Sequence, residues 1–295
     1  MKKILCAVLI LSFLSLLCAL PSCGGDPPGQ LERIVQNYKK NGLISWWEAL
    51  AVYGAGENPA DFKGFGELLA SLEGEANLKM ASYVIVASCV AAHGESSVSF
   101  GKYEKYRAEL KTFLENPSDA YPLNDYIFGY LALKCSGADF ESSLMGYLKQ
   151  VQKPDGGFNL SAKADSGDVD MTGFAVFALR LPGGDAGVLD DAIKFLEGRI
   201  GENGTFSSYG SENANSTAIA LSALSGYGHL GETIKKATAG LALFRLGDGR
   251  YSFLEGGEAN ALATAQAAIA LGDLENNMSV WERLYIASGK LKVEN

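Results

Sequence analysis

One unit recurs along this chain about every 46 residues, and a recurrence of that length confines the fold to an array of stacked helical or sheet units. Aligned on a threonine, Asp168-Val-Asp-Met-Thr-Gly-Phe-Ala-Val-Phe-Ala-Leu179 matches Asn213-Ala-Asn-Ser-Thr-Ala-Ile-Ala-Leu-Ser-Ala-Leu224 and Asn260-Ala-Leu-Ala-Thr-Ala-Gln-Ala-Ala-Ile-Ala-Leu271. One period before Thr172 stands Tyr126, and one period earlier Met80, each inside an apolar run. Trp46-Trp-Glu-Ala-Leu-Ala-Val-Tyr53 reads as a shortened first copy, which makes six units.

The aligned runs are apolar on nearly every side, with Ala or Gly where a neighbour must come close, so they read as buried inner helices. The three strongest copies begin with Asp or Asn, residues that cap a helix N-terminus. Residues 144–152, 188–198 and 234–244 carry charge on one face only and read as outer helices. Each of these three is followed by a turn of one type: Asp155-Gly-Gly-Phe158, Asn203-Gly-Thr-Phe206 and Asp248-Gly-Arg-Tyr251. Asp-Gly or Asn-Gly supplies positive φ, and the aromatic that follows can fill the groove between helix pairs. Pairs of this kind stack either into a closed ring or into an open superhelix.

The ends speak to location. Lys2 and Lys3 precede an apolar run over residues 4–20, then Pro21-Ser22-Cys23, a secretory signal excluded from the fold. Its end resembles a bacterial lipobox, which implies cleavage after residue 22 and lipid on Cys23. Residues 23–29 then form a flexible tether and residues 30–295 a single domain. The expected location is the extracytoplasmic side of a membrane, held by the lipid, with simple secretion as the alternative. The net charge of -9 comes with no basic cluster, which argues against nucleic acid as a partner. Cys89 and Cys135 occupy equivalent repeat positions and read either as buried free thiols or as a bridge between neighbouring helices.

The unit Gln152-Lys-Pro-Asp-Gly-Gly-Phe, a loop, then Asp168-Val-Asp-Met-Thr-Gly-Phe-Ala resembles the repeat of the terpenoid cyclase and protein prenyltransferase superfamily. That superfamily also includes cobalamin carriers of the transcobalamin type. The resemblance implies an all-α fold, an α/α toroid of about six helical hairpins with inner and outer rings. A prenyltransferase would need a zinc site of Asp, Cys and His; only His93 and His229 exist, and neither has such neighbours, so no metal and no cofactor are expected. Class II cyclases use an Asp-x-Asp-Asp motif whose middle acid donates a proton. Here Asp168 and Asp170 match the first two, Met171 replaces the third, and Asp170 falls at the donor's place.

In such a toroid the loops before the inner helices ring one mouth. They bring Asp168, Asp170, Tyr209, Glu212, Asn213, Asn215, Glu258 and Asn260 to one end as candidate ligand-binding residues. Capping alone accounts for one polar residue per helix start, and the second in successive units marks a site. The reading is a non-catalytic binding or interaction module for a small polar ligand, glycan, isoprenoid or peptide. The alternatives are a cyclase-like enzyme with Asp170 as general acid and a cobalamin-type carrier.

Overall fold

The computed structural model describes residues 29–94 and 100–289. The expected signal segment, Cys23 and the tether up to residue 28 lie outside the described residues. Twelve helices alternate between an outer and an inner ring. The outer ones are α1 (Gln30–Asn41), α3 (Phe65–Ser71), α5 (Tyr103–Glu115), α7 (Leu144–Val151), α9 (Ala186–Glu197) and α11 (Gly231–Ala242). The inner ones are α2 (Trp46–Gly54), α4 (Asn77–Ala91), α6 (Leu123–Cys135), α8 (Val169–Leu179), α10 (Ala214–Leu224) and α12 (Ala261–Asn276). Each inner helix packs on the next, and α12 packs on α2, so the ring is closed. The first two units, weakest in sequence, complete it.

Composition sorts the rings. Every residue of α10 is buried, whereas α9 buries only Val188, Ala192, Ile193, Phe195 and Leu196 along one stripe. The repeated threonine joins helix to turn. Oγ1 of Thr172, Thr217 and Thr264 accepts the backbone N–H of Phe158, Phe206 and Tyr251 at 2.8, 2.9 and 3.0 Å. The same hydroxyls donate to the carbonyls of Asp168, Asn213 and Asn260. The three aromatics are wholly buried, so the threonine satisfies an N–H that the ring's burial would otherwise leave without a partner.

The turn glycines set the spacing of the outer ring. Gly156 lies against the backbone of Asp191 in α9 and Gly204 against that of Lys236 in α11, both with positive φ. Gly249, also with positive φ, lies in ordinary contact with the side chain of Arg33 of α1, and Gln30 Nε2 donates to the Gly249 carbonyl at 2.7 Å. The last unit thus meets the first at the same turn position, through side chains of α1 in place of its backbone.

One helix lies outside the repeat. α13 (Val280–Ser288) packs across α2, α4, α6 and α12. Its partners are the C-terminal ends of inner helices: Arg283 Nη1 donates to the Gly54 carbonyl at 2.7 Å and Ser288 Oγ to that of Lys134 at 3.3 Å. A capping box of Ser279 and Glu282 starts it. Glu282 also pairs with Arg180 at 2.6 Å. The ring is therefore stoppered at one end by its own C-terminal segment. Among the described residues no helix is long and apolar enough to cross a membrane, and no group of three metal-ligating side chains forms. Cys89 and Cys135 are buried free thiols.

Candidate functional site

The N-terminal ends of the inner helices form the other end of the ring, and their common register defines what faces the bore. The second residues of α2, α4, α6, α8, α10 and α12 are Trp47, Leu78, Asn124, Asp170, Asn215 and Leu262. Four residues further, on the same helix face, come Ala51, Ser82, Phe128, Phe174, Ile219 and Gln266. Helices α2 and α8 are opposite members of the ring, yet the rings of Trp47 and Phe174 meet at 6.0 Å. That contact places this face of both helices in the bore.

The bore is packed with aromatic rings. Trp46 stacks on Trp47 at 4.1 Å, and Phe128 meets Trp46, Trp47 and Phe174 at 5.3, 5.7 and 4.9 Å. Deeper, Trp281 of α13 meets Phe128 and Phe177 at 6.1 Å each. Trp46, Trp47 and Phe174 remain partly open at the mouth, so ligand access is to the rim and the first ring layer.

Around that layer the second-residue positions divide. Asn124, Asp170 and Asn215 form a polar arc on three consecutive inner helices, facing an apolar arc of Leu262, Trp47 and Leu78. Oδ1 of all three polar residues is buried without a hydrogen-bond partner, as is Oε1 of Gln266. A buried acceptor left unpaired costs about 1–3 kcal/mol, so these oxygens favour any hydrogen-bond donor that reaches them. Burial pushes the Asp170 carboxyl up to about 6, and the neighbouring Asp168 charge adds to it. The hydroxyls of Ser216 and Ser208 oppose the rise in part, though neither bonds to Oδ1.

The other candidates serve the frame or stand at the rim. Asp168, Asn213 and Asn260 cap α8, α10 and α12, accepting the N–H of Met171, Ser216 and Ala263 at 3.1, 2.8 and 2.9 Å. Asp168 also accepts a short hydrogen bond from the Ser208 hydroxyl. Tyr209 sits at the tip of a hairpin of β1 (Ser207–Ser208) and β2 (Ser211–Glu212), with φ 52 beside Gly210 at φ 82. This is the left-handed conformation of a tight hairpin turn, held here by a non-glycine residue whose ring is 81% exposed. Partial desolvation and then the charges of Asp168 and Asp170 push its hydroxyl pKa up, so it stands over them. Glu212 accepts from Asn203 Nδ2 at 3.1 Å on the exposed side of the hairpin, and Glu258 is exposed in the loop before α12.

Sequence reasoning missed Asn124 and Gln266 as bore-facing groups. Both were reachable: Asn124 shares the register of Asp170, and Gln266 follows one turn after Leu262. Large apolar side chains also stand exposed at this end, among them Ile44, Tyr121, Leu160, Phe253 and Leu262.

Solved structures share this architecture. A protein from Actinoplanes superposes with a TM-score of 0.58 at 14% identity, over 85% of this chain and 99% of its own. Protein geranylgeranyltransferase-I of Candida albicans, solved with GGPP, superposes with a TM-score of 0.52 at 12% identity, over 73% of this chain and 74% of its own. Drimenyl diphosphate synthase of Streptomyces showdoensis is 33% identical over 134 residues, 43% of this chain. The chain spans about a quarter of that synthase's length, 25%. No protein-family model matches. At 12–14% identity the structural likeness concerns the fold alone: the chain is an α/α toroid, an architecture it shares with these structures.

Proposed function

We propose that this α/α toroid is a non-catalytic binding module that holds a small amphipathic ligand at the mouth of its inner ring. The observation that carries the reading is the arc of buried, unpartnered oxygens on Asn124, Asp170 and Asn215, set opposite Trp47 and Leu262. An occupant that donates hydrogen bonds to the arc and lays an apolar face on the indoles would satisfy both halves at once. Aromatic rings already fill the bore beneath, which favours holding a ligand at the rim over enclosing one for reaction.

The test is thermal stabilisation by a panel of isoprenoid alcohols, glycans, short peptides and corrinoids. At least one class is expected to raise the melting temperature in a concentration-dependent way. Asn215→Leu, which adds no charge and keeps a helix-compatible side chain, is expected to abolish the shift. A flat panel, or a shift that Asn215→Leu leaves intact, would overturn the mouth as the site.

A second reading is favoured by the Asp170 carboxyl, which burial keeps protonated up to about pH 6, and by the likeness to drimenyl diphosphate synthase. Under it Asp170 donates a proton to an isoprenoid alkene. Incubation with an acyclic isoprenoid diphosphate would then give a cyclic product, absent with Asp170→Asn; that result would replace the binding reading. The proposal includes export and a lipid anchor on Cys23, tested by incorporation of labelled fatty acid that Cys23→Ala abolishes.

A further inference from the structure

We propose that the mouth selects an organic cation, an ammonium group carried on an apolar body, over a neutral alcohol or an anionic phosphate ester. This rests on the binding reading above and names the ligand chemistry that the reading leaves open.

The buried side-chain atoms left without a partner on the amides of the mouth and on Asp170 are oxygens. Asn215 is 8% exposed and Gln266 5%, yet Oδ1 of the first and Oε1 of the second have no partner, and Asn124 and Asp170 add two more such oxygens. An ammonium brings up to three N–H donors and no acceptor, so it fits an acceptor-rich arc better than a hydroxyl, which brings one donor and two lone pairs of its own. Across the mouth the Trp46–Trp47 stack offers indole faces, and a cation within about 6 Å of an indole is held by the ring quadrupole.

Acidic side chains stand in the first turns near the arc, Glu48 on α2 and Asp125 on α6 among them, and they are set against the positive N-terminal ends of the inner helices. Asp168 and Asp170 are the charged groups on α8, and the Tyr209 hydroxyl is the titratable group that the hairpin sets over them. Four basic side chains near this end are engaged elsewhere. Lys163 pairs with Asp119, Arg199 with Asp155 and Arg250 with Asp248, while Lys153 Nζ donates to the Ala162 carbonyl. A phosphate ester needs cations or convergent N–H donors; here the helix N-termini and amide N–H groups offer donors, but the Asp168 and Asp170 carboxylates and the unpaired oxygens would repel it. An ammonium would meet the groups that lack a partner.

Three indoles of nearly one shape separate the alternatives: tryptamine, tryptophol and indole-3-acetate, titrated calorimetrically into the purified protein at pH 7.5. Tryptamine is expected to bind at least about tenfold more tightly than tryptophol, and indole-3-acetate more weakly than either. Asp170→Asn, whose fold is checked by circular dichroism, should reduce the tryptamine advantage to about threefold or less. In the parent protein the same loss should follow a shift to pH 5, where Asp170 takes up a proton, and the variant should show no such pH effect. Equal binding of tryptamine and tryptophol, both weakened by Asn215→Leu, would overturn the cation assignment and leave the mouth as the site. Tighter binding of indole-3-acetate would overturn it as well. No binding by any of the three overturns the cation assignment, and only the broader ligand panel then decides the binding reading.

Discussion

Gly204→Ala is expected to destabilise the protein by about 3–4 kcal/mol, whereas Gly249→Ala, the equivalent change two helices on, costs about 1–2 kcal/mol. Both glycines sit at φ near +90, where an L side chain is strained, and that part of the loss is shared. The difference comes from what the added methyl meets. At Gly204 it would overlap the carbonyl oxygen of Lys236 and approach the Gly240 nitrogen at 3.2 Å, both backbone atoms of α11. At Gly249 the nearest atom is Arg33 Cβ at 3.4 Å, an ordinary contact. A helix backbone cannot yield without opening the groove that Phe206 fills, so the Gly204 clash falls on the ring spacing itself. Urea denaturation of the two variants, followed by circular dichroism, measures the gap. Equal losses would mean that backbone strain alone governs these turns, and that the close approach to the next outer helix is incidental.

How much of this was legible in the sequence follows from which interactions repeat. Thr172, Thr217 and Thr264 recur because each holds one turn to one helix, and anything that recurs can be aligned. The caps Asp168, Asn213 and Asn260 were legible for the same reason, and the cap at each start made the second polar residue stand out. Closure was not legible, because the first two inner helices start after Ser45 and Ala76 and have Ala49 and Met80 where the later units have threonine. Their place in the ring is set by packing between buried faces, which leaves only a pattern of small and apolar residues. The α13 stopper belongs to no repeat, and besides Arg180 and Asp273 its partners are backbone carbonyls that any sequence would supply. The bore-facing arc lay between these cases. Asp170 and Asn215 stand out as polar surplus beyond the cap, whereas Asn124 lies in a unit that has Tyr126 in place of the threonine, so its equivalence is weaker.

Arg283→Met should cost about 3–5 kcal/mol at pH 8 and much less near pH 5, because it removes the partner of a carboxylate that has no access to water. Asp273 on α12 is fully buried, 3.1 Å from Arg283 Nη2 and bonded by a short contact from the Ser222 hydroxyl. Burial pushes its carboxyl up to about 7 even with Arg283 and Ser222 pulling it down. The sign of the pH effect follows. The folded state holds this proton more tightly than the unfolded chain, where an aspartate titrates at about 3.9. The contribution of Asp273 to stability is therefore full below about pH 4 and is lost as pH rises through about 7. Without Arg283 the folded carboxyl rises further, so the variant loses more, and the added loss grows with pH. Asp273→Asn introduced into Arg283→Met removes the stranded charge and should recover most of the stability at pH 8 while flattening its pH dependence. A pH-independent loss, or no recovery in the double variant, would show that Arg283 acts through its hydrogen bond to Gly54 or through packing alone. The same measurement bears on the bore, because Arg283 anchors the helix that carries Trp281 to the far ends of α2 and α12. If this ion pair holds the stopper, the Trp281 indole should become accessible to a fluorescence quencher in Arg283→Met at pH 8 and be protected again in the double variant.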